Sequence, residues 1–189
     1  MSDIKTFPDN RTYKVRARGI KNWRDYNTVR LEISVGQEYH EGAKLEATLK
    51  WAHENFETAH LLLGDSVQHF NLMYEHAMDK PDALLYARCE GDQWLARNND
   101  ALARYQPVIT RWDEIKSQPK YFWARHKVNK LYFHNTEFSH AVNSAMIAKF
   151  TRSGDSPDRF NTFCEIATEY LLEETAVFAL AYEQMGGIS

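Results

Sequence analysis

The stretch AHLLLGD, residues 59–65, does most to narrow what this chain can become. It is almost continuously apolar, lacks the alternation of a strand with one wet face, and is too short for a helix. A run of this kind, closed by glycine and aspartate, reads as a strand buried on both faces, which occurs where helices cover a parallel sheet. Its neighbours fit that frame. VRLEISVG (29–36) sets Val29, Leu31, Ile33 and Val35 against polar residues, and TYKVRARGI (12–20) alternates as a half-buried edge strand. PVITRW (107–112) is a fourth candidate strand. Helical periodicity covers 43–56, 81–104 with an interruption expected near Gly91, 119–150 with a break near Asn135, and 158–185. The last of these opens after Ser156–Pro157 and closes at Gly186–Gly187. Strands alternating with helices predict an α/β, doubly wound, mainly parallel sheet flanked by helices, as one domain over residues 1–189.

Several functional classes fall away. No GxGxxG, GxxxxGK[ST] or HExxH is present, and ISVGQ is not GxSxG, so dinucleotide, phosphate-loop, zinc-protease and α/β-hydrolase readings lack their signatures. The histidine pairs in HFNLMYEH (69–76) and HNTEFSH (134–140) are too widely spaced for a convincing metal site, and neither metal nor cofactor is expected. Cys89 and Cys164 lie far apart without CxxC spacing and read as buried or incidental thiols. No apolar run approaches the roughly 20 residues that span a bilayer. The start, MSDIKTFPDNRTYKVRARG, lacks the apolar core of an export signal, and a cytoplasmic location is expected.

Charge is segregated along the chain. Residues 97–130 hold eight Lys and Arg against three carboxylates, a net +5, whereas residues 155–189 hold one arginine against seven carboxylates, a net −6. That pattern fits one face meeting a polyanion, and equally fits solvated helix surface. The aromatic triplets YFW (121–123) and LYF (131–133) read as core rather than as a base-stacking platform.

Two residues stand out chemically. Ser34 ends the strand LEIS just before a turn and a helix, a place for a turn or capping serine. It is also a place where ligands gather, beyond the carboxyl ends of parallel strands. In the last helix, Phe163, Ile166, Ala167, Val177 and Phe178 form an apolar stripe that includes Tyr170 and Glu174, four residues apart. Glu165, Glu169 and Glu173 are expected mainly on the solvent side. An inward Glu174 needs an ion pair, a hydrogen bond or a proton, and so marks either a structural salt bridge or a site.

In order and spacing, ISVGQEYHEGAKLEATLKWA, LLLGDSVQHFN, GDQWLARN, ITRWDE and YLLEETAVF resemble the cyclodipeptide synthases, from about Tyr13 to Phe178. The resemblance implies a Rossmann-like domain related to the catalytic domains of class I aminoacyl-tRNA synthetases. It implies an enzyme that draws on two aminoacyl-tRNAs, without ATP, to make a cyclic dipeptide (a diketopiperazine) by ping-pong aminoacyl transfer. Ser34 then matches the family nucleophile that carries the acyl-enzyme ester. Tyr170 and Glu174 match the pair holding the α-amino group of the first aminoacyl moiety, and the glutamate could also handle protons. Gln37, three residues after the serine, together with YHEG points to the subfamily with a variable residue in place of asparagine, and Tyr39 matches a tyrosine near the pocket. The family's basic tRNA-binding helix corresponds to 81–104, with Arg88, Arg97 and Arg104. A monomer without membrane attachment is expected. The family pattern continues into a strand bearing Tyr followed by His or Pro, whereas this sequence reads AYEQMGGIS at that point. On that departure rests an alternative, a shortened relative that binds aminoacyl-tRNA without turnover. A nucleotide-dependent enzyme of another class is the third reading. No histidine or lysine is evident beside Ser34 as its base.

Overall fold

The computed structural model describes residues 13–15 and 25–185 of the chain. Its regular elements run β1 Thr28–Ser34, α1 Gly42–Asn55, β2 Thr58–Gly64, α2 His69–His76, α3 Lys80–Arg97 and α4 Asn99–Tyr105, then β3 Val108–Arg111, α5 Trp112–Lys116, α6 Pro119–His134, α7 Thr136–Ser153 and α8 Phe160–Met185. They form two compact units, one with the described residues up to Asp65 and Cys89–Arg111, the other with Ser66–Arg88 and Trp112–Gln184.

The first unit is built on three parallel strands in the order β1-β2-β3. The apolar run of β2 occupies the centre, and Leu61, Leu62 and Leu63 are all buried although they alternate between faces. On one face Leu61, Leu63 and Ile33 pack with Leu45 and Leu49 of α1, Trp94 of α3 and Leu102 of α4. Each large side chain so buried contributes roughly 2 kcal/mol. The second unit is helical. Val128, Val142, Leu172 and Ala176 form one core cluster, and Met146, Phe163 and Ala167 another.

The α/β reading with a parallel sheet holds. So do the strands at 29–34, 59–64 and 108–111, the break at Asn135 and the start of the last helix after Ser156–Pro157. Asn135 stops α6 and caps α7 by accepting the Phe138 N–H at 2.8 Å. The strand expected over 12–20 falls largely outside the described residues, and Tyr13–Val15 carry no strand pairing.

Three local expectations are corrected. Helix α3 runs unbroken through Gly91 and ends at Asn98, whose side-chain amide donates to the Trp94 carbonyl at 2.9 Å. Gly91 is there for space rather than to break the helix: a Cβ would lie 2.6 Å from Asp65 Cβ and from its Oδ2. Asp65 itself is buried, and its Oδ2 accepts from Arg111 Nε at 2.7 Å. Trp112 opens α5 instead of ending β3, and residues 69–76, left unassigned by periodicity, form α2.

Candidate functional site

Ser34 is the last residue of β1, in register with Gly64, at the carboxyl edge of the sheet. The chain then turns sharply. Gln37 N–H donates to the Ser34 carbonyl at 3.3 Å, and Gly36 takes φ +87°, a left-handed conformation that favours glycine. This is the local reason for the sequence Ser-Val-Gly-Gln. The Ser34 hydroxyl forms no hydrogen bond with any described residue, so it is not a capping group.

What the sequence did not disclose is His40. Its Nδ1 accepts the Ser34 backbone N–H at 2.8 Å, which places the ring proton on Nε2. The imidazole therefore acts on the serine through the main chain. Burial lowers the His40 pKa below the ordinary imidazole value, opposed by the Ser34 carbonyl, 3.3 Å from Nδ1 and able to accept a proton carried there, and by the Glu41 charge. The loop is anchored from α3 as well. Trp94 Nε1 donates to the His40 carbonyl at 3.0 Å, and Glu41 accepts from Arg97 at 3.0 Å and from Asn98 at 3.1 Å. Gln37 and Tyr39 lie exposed on this loop, with the Tyr39 ring 4.3 Å from His40 edge-on.

In the second unit, Tyr170 and Glu174 come together on α8, where the phenol donates to Glu174 Oε1 at 2.9 Å. Tyr170 also borders a cavity of about 330 Å³. Its floor is apolar, with Phe70, Met146 and Phe163, and Lys149, Asp155 and Arg159 supply charge.

The expectation that Glu173 faces solvent is overturned. It is 8% exposed, whereas Glu174 is only partly buried. Glu173 Oε1 accepts from Trp112 Nε1 at 3.0 Å, and Lys116 Nζ donates to both carboxylate oxygens at 2.9 Å. Residues adjacent on a helix sit about 100° apart, and the buried arc here is wide enough to take both. Glu173 is the structural ion pair that the sequence had offered as an alternative for Glu174.

The three expected tRNA-contacting arginines each face a carboxylate: Arg88 with Asp113 at 2.7 Å, Arg97 with Glu41, and Arg104 with Glu46. The aromatic triplets depart further from expectation. Phe122, Trp123 and Phe133 are exposed on α6 rather than packed in the core. Among the described residues, no cluster of three or more His, Cys, Asp or Glu side chains could hold a metal ion, and no helix is long and apolar enough to cross a membrane.

The buried histidines carry a pH signature. His69 is fully buried, its Nδ1 hydrogen-bonded to the Ser66 carbonyl at 2.7 Å. Burial lowers its pKa, helped by Lys116 and Lys80 and opposed by the Ser66 bond and Glu173. A folded-state pKa below the unfolded value of about 6.5 means that the unfolded chain binds more protons on the acid side. Stability is then complete above that value and is lost as pH falls through it towards the depressed folded value. His40 and His60 add to the same trend. Thermal unfolding should show a midpoint that is flat from pH 7 to 8 and falls from pH 6.5 to 5.5, with His69 contributing a slope of at most about 1.4 kcal/mol per pH unit. Equal midpoints at pH 5.5 and 7.5 would refute this account.

The chain is similar in three dimensions to solved cyclodipeptide synthases (CDPSs). A CDPS from Fluoribacter dumoffii superposes with a TM-score of 0.81 at 28% identity, over 89% of this chain and 79% of that one. A CDPS from Staphylococcus haemolyticus gives a TM-score of 0.69 at 17% identity, over 87% and 75%. A Mycobacterium tuberculosis protein, whose structure is described as relating cyclodipeptide synthetases to type I tRNA synthetases, gives 0.63 at 14% identity, over 82% and 67%. No family sequence model and no curated protein sequence matches the chain. These likenesses bear out the resemblance read from the sequence blocks and the Rossmann-like fold it implied.

Proposed function

We propose that this chain, which has the fold of the cyclodipeptide synthases, is a tRNA-dependent cyclodipeptide synthase working through an acyl-enzyme on Ser34. The observation that carries this reading is a serine hydroxyl with no partner among the described residues, at the carboxyl edge of a parallel sheet, on a main chain clamped by His40 and Gly36. A fixed backbone with an uncommitted side-chain oxygen is what a nucleophile needs.

In the first step Ser34 Oγ attacks the ester carbonyl of one aminoacyl-tRNA. The serine proton is lost, the tRNA ribose hydroxyl leaves, and the aminoacyl group passes to serine as an ester. Ester replaces ester, so the step needs no energy input and positioning supplies much of the rate. The α-amino group of the second aminoacyl-tRNA then attacks the seryl ester, forming a peptide bond and freeing Ser34. Finally the dipeptide's own amine attacks the ester to the second tRNA, closing the ring and releasing that tRNA. Tyr170 and Glu174 bind the first α-ammonium group: the carboxylate oriented by the phenol matches a cation and can accept a proton from it. Gln37 and Tyr39 contact substrate from the loop after Ser34. The cavity beside Tyr170 is suited to an amino-acid side chain.

The test is product formation. The full chain incubated with aminoacyl-tRNAs should release a cyclic dipeptide identifiable by mass. Tight tRNA binding with neither product nor covalent label would make it a binding protein and overturn the reading.

A further inference from the structure

Helix α6 turns Tyr121, Ala124, Val128 and Tyr132 inward, against Val142, Leu172 and Ala176. Its outer side should therefore be polar. Instead, Phe122, Trp123 and Phe133 are 66%, 69% and 75% exposed. Three large rings on one helix side exceed the scatter of single apolar residues found on any surface. Alongside Trp123 stand Lys120, Lys127 and Lys130, all exposed and, among the described residues, without an ion pair. The fourth cation of the helix, Arg125, pairs with Glu169 at 2.6 Å, and residues 119–134 contain no carboxylate. Arg88, Arg97 and Arg104 contrast with this, since each would have to exchange an existing carboxylate for a phosphate.

The spacing fixes the kind of partner. Lys120, Trp123, Lys127 and Lys130 follow at steps of three, four and three, so Trp123 stands within the lysine row. A helix lying on a bilayer separates its apolar face from its cationic face. A row of cations with an exposed ring inside it fits a strand that offers phosphates and unpaired bases side by side.

We infer that the outer face of α6 docks tRNA, with Lys120, Lys127 and Lys130 on backbone phosphates and the Trp123 ring stacked on an unpaired base, flanked by Phe122. The inference rests on the tRNA-using reading above. It also assigns the positive charge of residues 97–130 a place to act.

The experiment measures binding of total aminoacyl-tRNA to the full chain over a range of salt concentrations. Replacing Lys120, Lys127 and Lys130 together by Gln should weaken binding at least tenfold near 50 mM salt and reduce the slope of log affinity against log salt by about 2 to 3. The matching Arg substitutions should retain both affinity and slope. Trp123→Ala should weaken binding roughly five- to tenfold with the slope unchanged. All these positions face solvent, so unfolding midpoints should stay at the wild-type value. If tRNA binding survives both the Gln and the Ala variants, this inference falls and the proposed function stands. If the Gln variant keeps tRNA but loses binding to phosphatidylserine vesicles, α6 is a membrane surface and the inference also falls. A wild-type chain that binds no aminoacyl-tRNA overturns both.

Discussion

Ser34→Ala should abolish covalent labelling by aminoacyl-tRNA and lower dipeptide formation by at least about 10³-fold. The expectation is large because in the proposed mechanism the acyl ester forms on the Ser34 hydroxyl itself, which alanine removes. The substitution is also clean. His40 accepts from the Ser34 backbone N–H and Gln37 donates to the Ser34 carbonyl, neither of which involves the hydroxyl. Alanine therefore leaves the turn intact, and the unfolding midpoint should move little. Labelled aminoacyl-tRNA followed by a denaturing, acidic gel separates covalent attachment from binding. Ser34→Cys restores a nucleophile, and any label it holds should be a thioester released by neutral hydroxylamine. Equal labelling of the wild type and the Ala variant would place the acyl group elsewhere and sink the serine mechanism.

Removing Glu173 should have the largest effect on stability. Its carboxylate satisfies the Trp112 indole N–H and the Lys116 ammonium at once. Glu173→Ala leaves an indole donor and a cation unpaired where water has little access, at a cost of about 3 kcal/mol. That figure sits at the low end for a broken buried pair because the Lys116 side chain keeps 23% exposure. The same carboxylate's charge adds to burial in holding the Tyr121 hydroxyl well above the usual phenol range. A Lys116→Met, Glu173→Leu double variant should recover the part of the loss that comes from the stranded charge, since an apolar pair replaces both charges, while the Trp112 indole N–H stays unpaired. Urea denaturation would measure both changes. A cost below about 1 kcal/mol for Glu173→Ala would show that the ion pair is dispensable.

Legibility in the sequence followed the range of the interaction. The apolar run at 61–63, the cap at Asn135 and the start at Ser156–Pro157 are local signals, and each element lies where those signals put it. Gly91 misled because its cause is tertiary: it makes room for Asp65, a residue from another element. Periodicity grouped YFW and LYF correctly along a helix but could not say which stripe faces inward. The inner one is Tyr121, Ala124, Val128 and Tyr132, and the rings beside it are outside. The same ambiguity of one residue exchanged the environments of Glu173 and Glu174. His40 was invisible for a different reason: its partner is a peptide N–H, and no pattern of side-chain types records that.

The pairing of Ser34 with Gly64 carries a last consequence. Neighbouring positions in register on a sheet project to the same side, so the lane alongside the serine is lined by hydrogen where any other amino acid would set a carbon. A side chain introduced at position 64 would stand beside that of Ser34, on the same side of the sheet, while leaving the ladder whole.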